Sequence, residues 1–313
     1  MNLVEISKEI NNLLEERRKD LELTFIEEEH IYYMKDMNGV LRKTFPSVSK
    51  VVKKFHKSFD AEGTALRMCN GDPIAARELQ EQWKATGQYA TNMGSRVHFE
   101  LESDLVQRHE DYKEVRRPIF ECDETQLTKS DNMIVAGKQF LDLMLERGAI
   151  LIDTEIVLGD NELGYTGQPD KIWLMSNKEG TDFGIVVTDW KTNQPKNFEV
   201  QHYTGRLYPP FQEYHDTALG HYYIQLPLYA RLLIKMLKGT KYENLKLLGC
   251  VIVLLKEDGT FVEYKVPPQI NNTILQMDLT KYTHLVLANG RYNELSEERV
   301  KRFLSSGGTL VAM

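Results

Sequence analysis

The sequence predicts an α/β fold: a mixed β-sheet core flanked by helices, with helical additions at both ends. Three observations carry this expectation. Apolar residues recur at helical spacing over 2–20, 130–147 and 217–238. The period then changes to short runs rich in Ile, Val and Leu, bounded by turn residues, over 150–158, 171–175, 185–191 and 247–255. A single helix separates the third run from the fourth. Strands, one helix, then strands again, with helices before and after, describe a mixed sheet covered by helices.

In chain order, residues 2–20 place Leu3, Ile6, Ile10, Leu13 and Leu14 on one stripe. A β-rich stretch follows around 23–25 and 30–33, with a turn at Asn38-Gly39. Pro46-Ser47 opens a helix over 48–55, with Ser47 placed to cap it. Lys50, Lys53, Lys54 and Lys57 cluster there, as a solvated face or as phosphate contacts. Residues 73–86 and 94–108 read as two helices joined by a linker containing Gly87 and Gly94. In the 217–238 helix, Leu219, Tyr222, Leu226, Ala230, Leu233 and Leu237 share a stripe, and Asp258-Gly259 turns residues 261–266 back onto the preceding strand. The chain divides into an N-terminal extension (1–90), a core (91–268) and a C-terminal extension (269–313) in which no chemistry is legible.

Composition narrows the function classes. At 313 residues the chain is one large domain or two ordinary ones. With 42% hydrophobic and 27% charged residues, neither disorder nor a fibrous protein is indicated. The longest apolar run, 247–255, is far shorter than the ~18 residues of a membrane span, so no membrane association is expected. The N-terminal stretch carries no secretion signal. Cys69, Cys122 and Cys250 lie too far apart for a disulfide framework, a structural zinc site or an iron–sulfur cluster, so a reducing, intracellular (cytoplasmic) location is expected. The net charge, 39 − 46 = −7, argues against non-specific coating of nucleic acid. It is compatible with an enzyme whose carboxylates hold metal ions inside a locally basic cleft.

The most informative stretch is Gly164-Tyr165-Thr166-Gly167-Gln168-Pro169-Asp170 and the two strands after it, the second ending Thr188-Asp189-Trp190-Lys191. Asn177-Lys178-Glu179-Gly180 is a turn signal. An antiparallel hairpin centred there pairs Trp173 with Val186, Ile172 with Val187 and Asp170 with Asp189. Two carboxylates then stand side by side, with Lys191 on the face of Asp189. Adjacent carboxylates repel unless a cation sits between them. A hard divalent metal fits, and a neighbouring lysine can orient or deprotonate a water and stabilise charge on a phosphate. The chemistry implied is metal-assisted phosphodiester hydrolysis. The Asp-x-Lys pattern alone is weak, because Asp111-Tyr112-Lys113 and Glu263-Tyr264-Lys265 share its form. Only Asp189 ends an almost wholly apolar strand, where an unpaired charge is costly.

Gly167-x-x-Asp170, then Asp189-x-Lys191, then Gln225-Leu226-Pro227-Leu228-Tyr229 on a helix resemble the PD-(D/E)XK nuclease superfamily, in particular its RecB-type and phage exonuclease branch. Gly94-Ser95-Arg96-Val97-His98-Phe99-Glu100-Leu101-Glu102 matches that branch's upstream helix. His30-Ile31-Tyr32 with Pro46-Ser47-Val48-Ser49 is similar to a stretch of phage members. The resemblance spans about residues 30–266 and implies a restriction-endonuclease-like core.

It also implies roles. Asp170 and Asp189 become metal ligands, with the Trp190 carbonyl and His98 as further ligands and Lys191 as the catalytic lysine. Glu155 matches an acidic metal-binding position of some members. Glu102 would support His98 or be solvated. Gln225 and Tyr229 would reach the DNA backbone or buttress the lysine. The aromatic loop 202–215 either threads a strand or packs on the core. The expected protein is an Mg²⁺- or Mn²⁺-dependent DNA nuclease, an exonuclease acting on single strands or free ends, in phage-type DNA recombination, repair or degradation. Phage recombination or replication proteins are its expected partners. An endonuclease of the same fold and a non-catalytic nucleic-acid-binding module are the alternatives.

Overall fold

A computed structural model describes residues 2–26, 29, 31–108, 118–177, 179, 182–199, 205–280 and 282. His30, part of the 177–180 turn and most of the 269–313 extension lie outside the described residues. Helix α1 (Leu3–Asp20) starts where the Asn2 side chain accepts from the Val4 N–H, and Arg17, Arg18 and Lys19 favour its C-terminal dipole. Strands β1 (Thr24–Ile26), β2 (Ile31–Lys35) and β3 (Leu41–Phe45) form a small antiparallel sheet. Helix α2 (Val48–Val52) is shorter than expected, continuing to Phe55 only as tight turns. Ser47 occupies its N-cap position in extended backbone, but its side chain makes no capping bond.

Helix α3 (Ala61–Met68) leads into α4 (Pro73–Arg108), which is one unbroken helix where the sequence suggests two with a linker. Gly87 is exposed and a Cβ there would touch nothing. A glycine inside a helix costs about 1 kcal/mol. Strong helix formers over 77–85, and docking of the helix on α3 and on α5, outweigh that cost. Helix α5 (Glu124–Glu146) begins earlier than its apolar stripe, because Asp123 and Gln126 form a reciprocal capping box.

Strands β4 (Ile150–Thr154) and β5 (Leu158–Asp160) replace the single expected run 150–158. The break is at Glu155, whose φ of 51° is left-handed and ends the extended backbone. β5 pairs with β6 (Tyr165–Gly167), while β4 joins a five-stranded sheet with β7 (Lys171–Ser176) and β8 (Phe183–Lys191). After α6 (Pro195–Phe198) and α7 (Ala218–Met236), β9 (Lys246–Leu255) and β10 (Phe261–Lys265) complete the order β10-β9-β8-β7-β4. Helix α8 (Pro268–Gln276) packs on α7. The β8–β9 pair is parallel and the others are antiparallel, so the sheet is mixed, as expected.

Both faces of this sheet are covered. Ile172, Leu174, Ile185, Val187, Ile252 and Leu254 pack under α7, α1 and α2. Trp173, Val186, Trp190, Val253 and Leu255 pack under α4 and α5. Burial on both sides is why the central strands read as unbroken apolar runs. Elements of both flanking segments contribute to the first cluster, including Ile10, Val51, Ile270 and Ile274. No described helix is long and apolar enough to cross a membrane.

The unbroken α4 makes Gly87→Ala informative. Alanine in an exposed, regular helix interior should stabilise by about 0.5–1 kcal/mol, raising the melting temperature slightly. A lowered melting temperature would mean that Gly87 occupies a linker.

Candidate metal centre

The β7–β8 ladder has the expected register, with Trp173 opposite Val186 and Ile172 opposite Val187, and it ends at Lys171 opposite Thr188. Asp170 and Asp189 therefore stand just past its last pair, at the open end of the hairpin. Both are buried, at 6% and 2% exposure, which is unusual for carboxylates and demands partners.

Asp170 is held at both ends. Its carbonyl accepts from the Thr154 hydroxyl at 2.9 Å and from the Glu155 N–H at 3.0 Å. Its carboxylate Oδ2 accepts from the Trp190 N–H at 2.6 Å and lies 3.4 Å from His98 Nδ1 on α4. The left-handed turn at Glu155 aims that residue at the same place, with its Oε1 3.8 Å from His98 Nδ1. His98, Glu155 and Asp170 each present one ligand atom, all within 4.8 Å of one another. Asp189 is adjacent, but its Oδ2 is paired with Lys191 Nζ. Lys191 Nζ also lies 4.3 Å from the centre of the Tyr222 ring.

Two glycines make this approach feasible. A Cβ on Gly94 would come within 3.0 Å of Thr192 Oγ1, so glycine lets α4 lie against the residue after Lys191. A Cβ on Gly167 would meet the Tyr229 ring at 2.6 Å and Val48 at 2.7 Å.

The charges are interdependent. Burial disfavours the Asp170 carboxylate, but His98, Lys171 and Lys191 outweigh burial and hold it below the ordinary range. Burial and the neighbouring Asp170 push Glu155 and Asp189 upward. Burial opposes charge on His98, yet Asp170 and Glu155 prevail and bring its imidazole up to about 10. Burial likewise opposes charge on Lys191, and Asp189, Tyr222 and Asp170 raise it above its usual value. Glu102, on the same helix as His98, is pushed up to about 7 by burial and by Glu155.

This donor set fits a divalent cation. Two carboxylates and an imidazole converge on one point; without a metal the protonated His98 supplies the positive charge between the carboxylates, and it gives up that proton to act as a ligand. Oxygen donors suit Mg²⁺, while the imidazole favours Mn²⁺ in affinity.

The remaining expected residues distribute unevenly. The Trp190 N–H is committed to Asp170, and its indole packs edge-on against Phe140 in the core. Gln225 Nε2 donates to the Tyr229 hydroxyl at 2.8 Å. Tyr229 is not on a polar helix face: it is 6% exposed, and α7 is buried on nearly every side around the internal Pro227. The Tyr229 ring lies against Gly167 and its hydroxyl is bonded by Gln225, near enough to Asp189 and Asp170 that burial and those two charges push its pKa well up. In the loop before α7, Leu207 and Phe211 are core residues, Tyr214 is partly buried, and Tyr208 remains exposed. Residues 202–204 lie outside the described part. Lys50, Lys53 and Lys57 are exposed and Lys54 is half-buried.

Sequence reasoning missed Lys171. It is 1% exposed, its Nζ makes no hydrogen bond, and it sits 4.5 Å from the centre of the Trp190 ring. A lysine opening a strand ordinarily reads as a solvated end. Its place directly after Asp170 was the only available signal.

No protein-family model matches this chain, and no curated protein is significantly similar to it.

His98 provides a direct test. Its imidazole titrates well above the ~6.5 of an unfolded chain, so the stability its charge contributes is fully present below about 6.5 and is lost as pH rises through about 10. NMR titration of metal-free protein should find a midpoint near 10, and Mg²⁺ or Mn²⁺ should lower it by competing with the proton. A midpoint near 6.5 that ignores metal would show that His98 does not face the carboxylates.

Proposed function

We propose that this protein is an Mg²⁺- or Mn²⁺-dependent DNA nuclease that hydrolyses phosphodiester bonds from a free end, in phage-type recombination, repair or degradation of DNA within the cell. One observation carries the reading: His98, Glu155 and Asp170 converge beside an Asp189–Lys191 ion pair at the open end of one hairpin. The sequence resemblance to PD-(D/E)XK nucleases assigns the same residues.

His98, Glu155 and Asp170 would hold the cation, with Asp189 and the Trp190 carbonyl at hand. When bound, the metal supplies Lewis acidity and neutralises charge on the phosphate. Lys191 is kept cationic by Asp189 and Tyr222, which suits it to stabilising charge that builds on the phosphate more than to removing a proton. Asp189 orients that lysine, and Asp170, braced by Trp190, Thr154 and Glu155, fixes the carboxylate geometry before substrate arrives. Tyr208 is an exposed ring on which an unpaired base can stack, with Lys50, Lys53 and Lys57 as phosphate contacts. Partner proteins would be other components of phage recombination or replication.

Linear DNA should be degraded in Mg²⁺, while covalently closed circles and supercoiled plasmid of matched sequence should survive. Asp170→Asn should abolish cleavage while the chain still folds cooperatively, with a lowered melting temperature from the lost His98 pairing. Lys191→Ala should slow single turnover by ~10² or more with little loss of DNA affinity. Circles cut as fast as linear DNA would transfer the assignment to an endonuclease. No metal-dependent cleavage of any substrate would leave a binding module.

A further inference from the structure

We propose that His56, Asp216 and His221 form a second metal site, separate from the carboxylate centre, that takes Zn²⁺ and clamps the loop before α7 to the end of the α2 segment. The inference does not depend on the nuclease reading.

The three residues come from three places. His56 follows the turns after α2, Asp216 precedes the α7 N-cap Thr217, and His221 lies in the first turn of α7. His221 Nε2 lies 2.6 Å from Asp216 Oδ1, and His56 Nδ1 lies 4.0 Å from the same oxygen. The imidazole rings are stacked, with centroids 3.8 Å apart and planes at 22°. One ligand atom from each residue falls within a common 4.8 Å.

His221 alone bonds the carboxylate, whereas His56 lies 4.0 Å from Oδ1, beyond hydrogen-bond reach, and its Nδ1 stands 3.1 Å from the Lys57 carbonyl. A bridging cation that draws His56 off that carbonyl engages both rings. With bonds of about 2.0–2.1 Å, tetrahedral Zn²⁺ holds its donors about 3.3–3.4 Å apart. The His56–Asp216 pair, at 4.0 Å, needs to close and the His221–Asp216 pair, at 2.6 Å, to open, each by less than an ångström, when the cation replaces the shared proton. Two imidazoles with one carboxylate favour zinc over magnesium.

Apart from the His56 Nδ1 contact with the Lys57 carbonyl, the frame is built without the donor atoms. Asp216 Oδ2 accepts from the Lys57 N–H at 3.4 Å, and the Asp216 N–H donates to the Gly205 carbonyl at 3.0 Å. The Tyr208 N–H donates to the Phe55 carbonyl at 2.7 Å, and the Phe55 and Phe211 rings meet edge to face at 5.1 Å. The Asp216, His56 and His221 side chains are 8%, 15% and 27% exposed, so one side is open to water as a fourth ligand. Because Tyr222 follows His221 and carries the Lys191 ammonium against its ring, the clamp also positions the first turn of α7 for the neighbouring centre.

The test uses the full chain carrying His98→Ala, which weakens the carboxylate centre. Equilibrium dialysis with metal analysis should find one Zn²⁺ per chain. Co²⁺ in its place should give the visible absorption of a low-coordinate site. Adding His56→Ala and His221→Ala should abolish both signals. No retained Zn²⁺ in the His98→Ala chain, or retention unchanged by the histidine substitutions, overturns the proposal. If the histidine variants do not fold, melting of the His98→Ala chain decides: a rise of several degrees with Zn²⁺ and none with Mg²⁺ supports the site, and no rise refutes it.

Discussion

The grip on the Asp170 carboxylate organises this molecule. It is a buried negative charge at the junction of β7, β8 and α4, and each of those elements is tied to it by a polar contact. Removing a carboxylate from water is costly, and that cost is offset only if its partners stay in place. The end of β8 is fixed by the Trp190 N–H, the β4–β5 corner by Thr154 and Glu155, and α4 by His98. The hairpin register, the left-handed Glu155 and the orientation of the long helix thus serve one charge.

That arrangement explains two glycines and one strained residue with a single constraint. Gly94 admits the residue after Lys191 to the helix surface, and Gly167 admits the Tyr229 ring beneath the Gly-x-x-Asp loop. Glu155 adopts a conformation that costs a non-glycine residue of order 1 kcal/mol. In return its carboxylate faces His98. Strain at a point where buried charges converge is the pattern of a site organised before its ligand arrives.

The electrostatics divide into two groups that share one buried region. His98 answers Asp170 and Glu155, whereas Lys191 answers Asp189. The first pairing presents a cation where a metal would bind, and the second keeps a lysine charged beside it. Lys171, stacked over Trp190 without a hydrogen bond, adds positive potential behind Asp170. The carboxylates Asp170, Glu155 and Asp189 are thereby balanced by His98, Lys171 and Lys191.

The hairpin and its facing carboxylates were legible in the sequence, because side chains alternate with period 2 and a turn signal sets the register. The fold class followed from the same periodicities, and His98 and Glu155 entered through the resemblance of short motifs. The start of α5 was also written there, in the Asp123–Gln126 spacing, although the apolar stripe begins later. Other features were decided only by tertiary structure. Gly87 stays helical because the flanking parts of α4 dock on α3 and α5, not because of its own propensity. Tyr229 is a core residue because α7 is enclosed, which spacing along one helix does not reveal. His56 meets Asp216 and His221 across a large separation in sequence, and Lys171 is buried because α4 and α5 close over its strand. Local pattern fixes which face a residue takes, through the geometry of the backbone. Which face meets which depends on long-range packing, where one apolar stripe fits many partners and only the whole core selects among them.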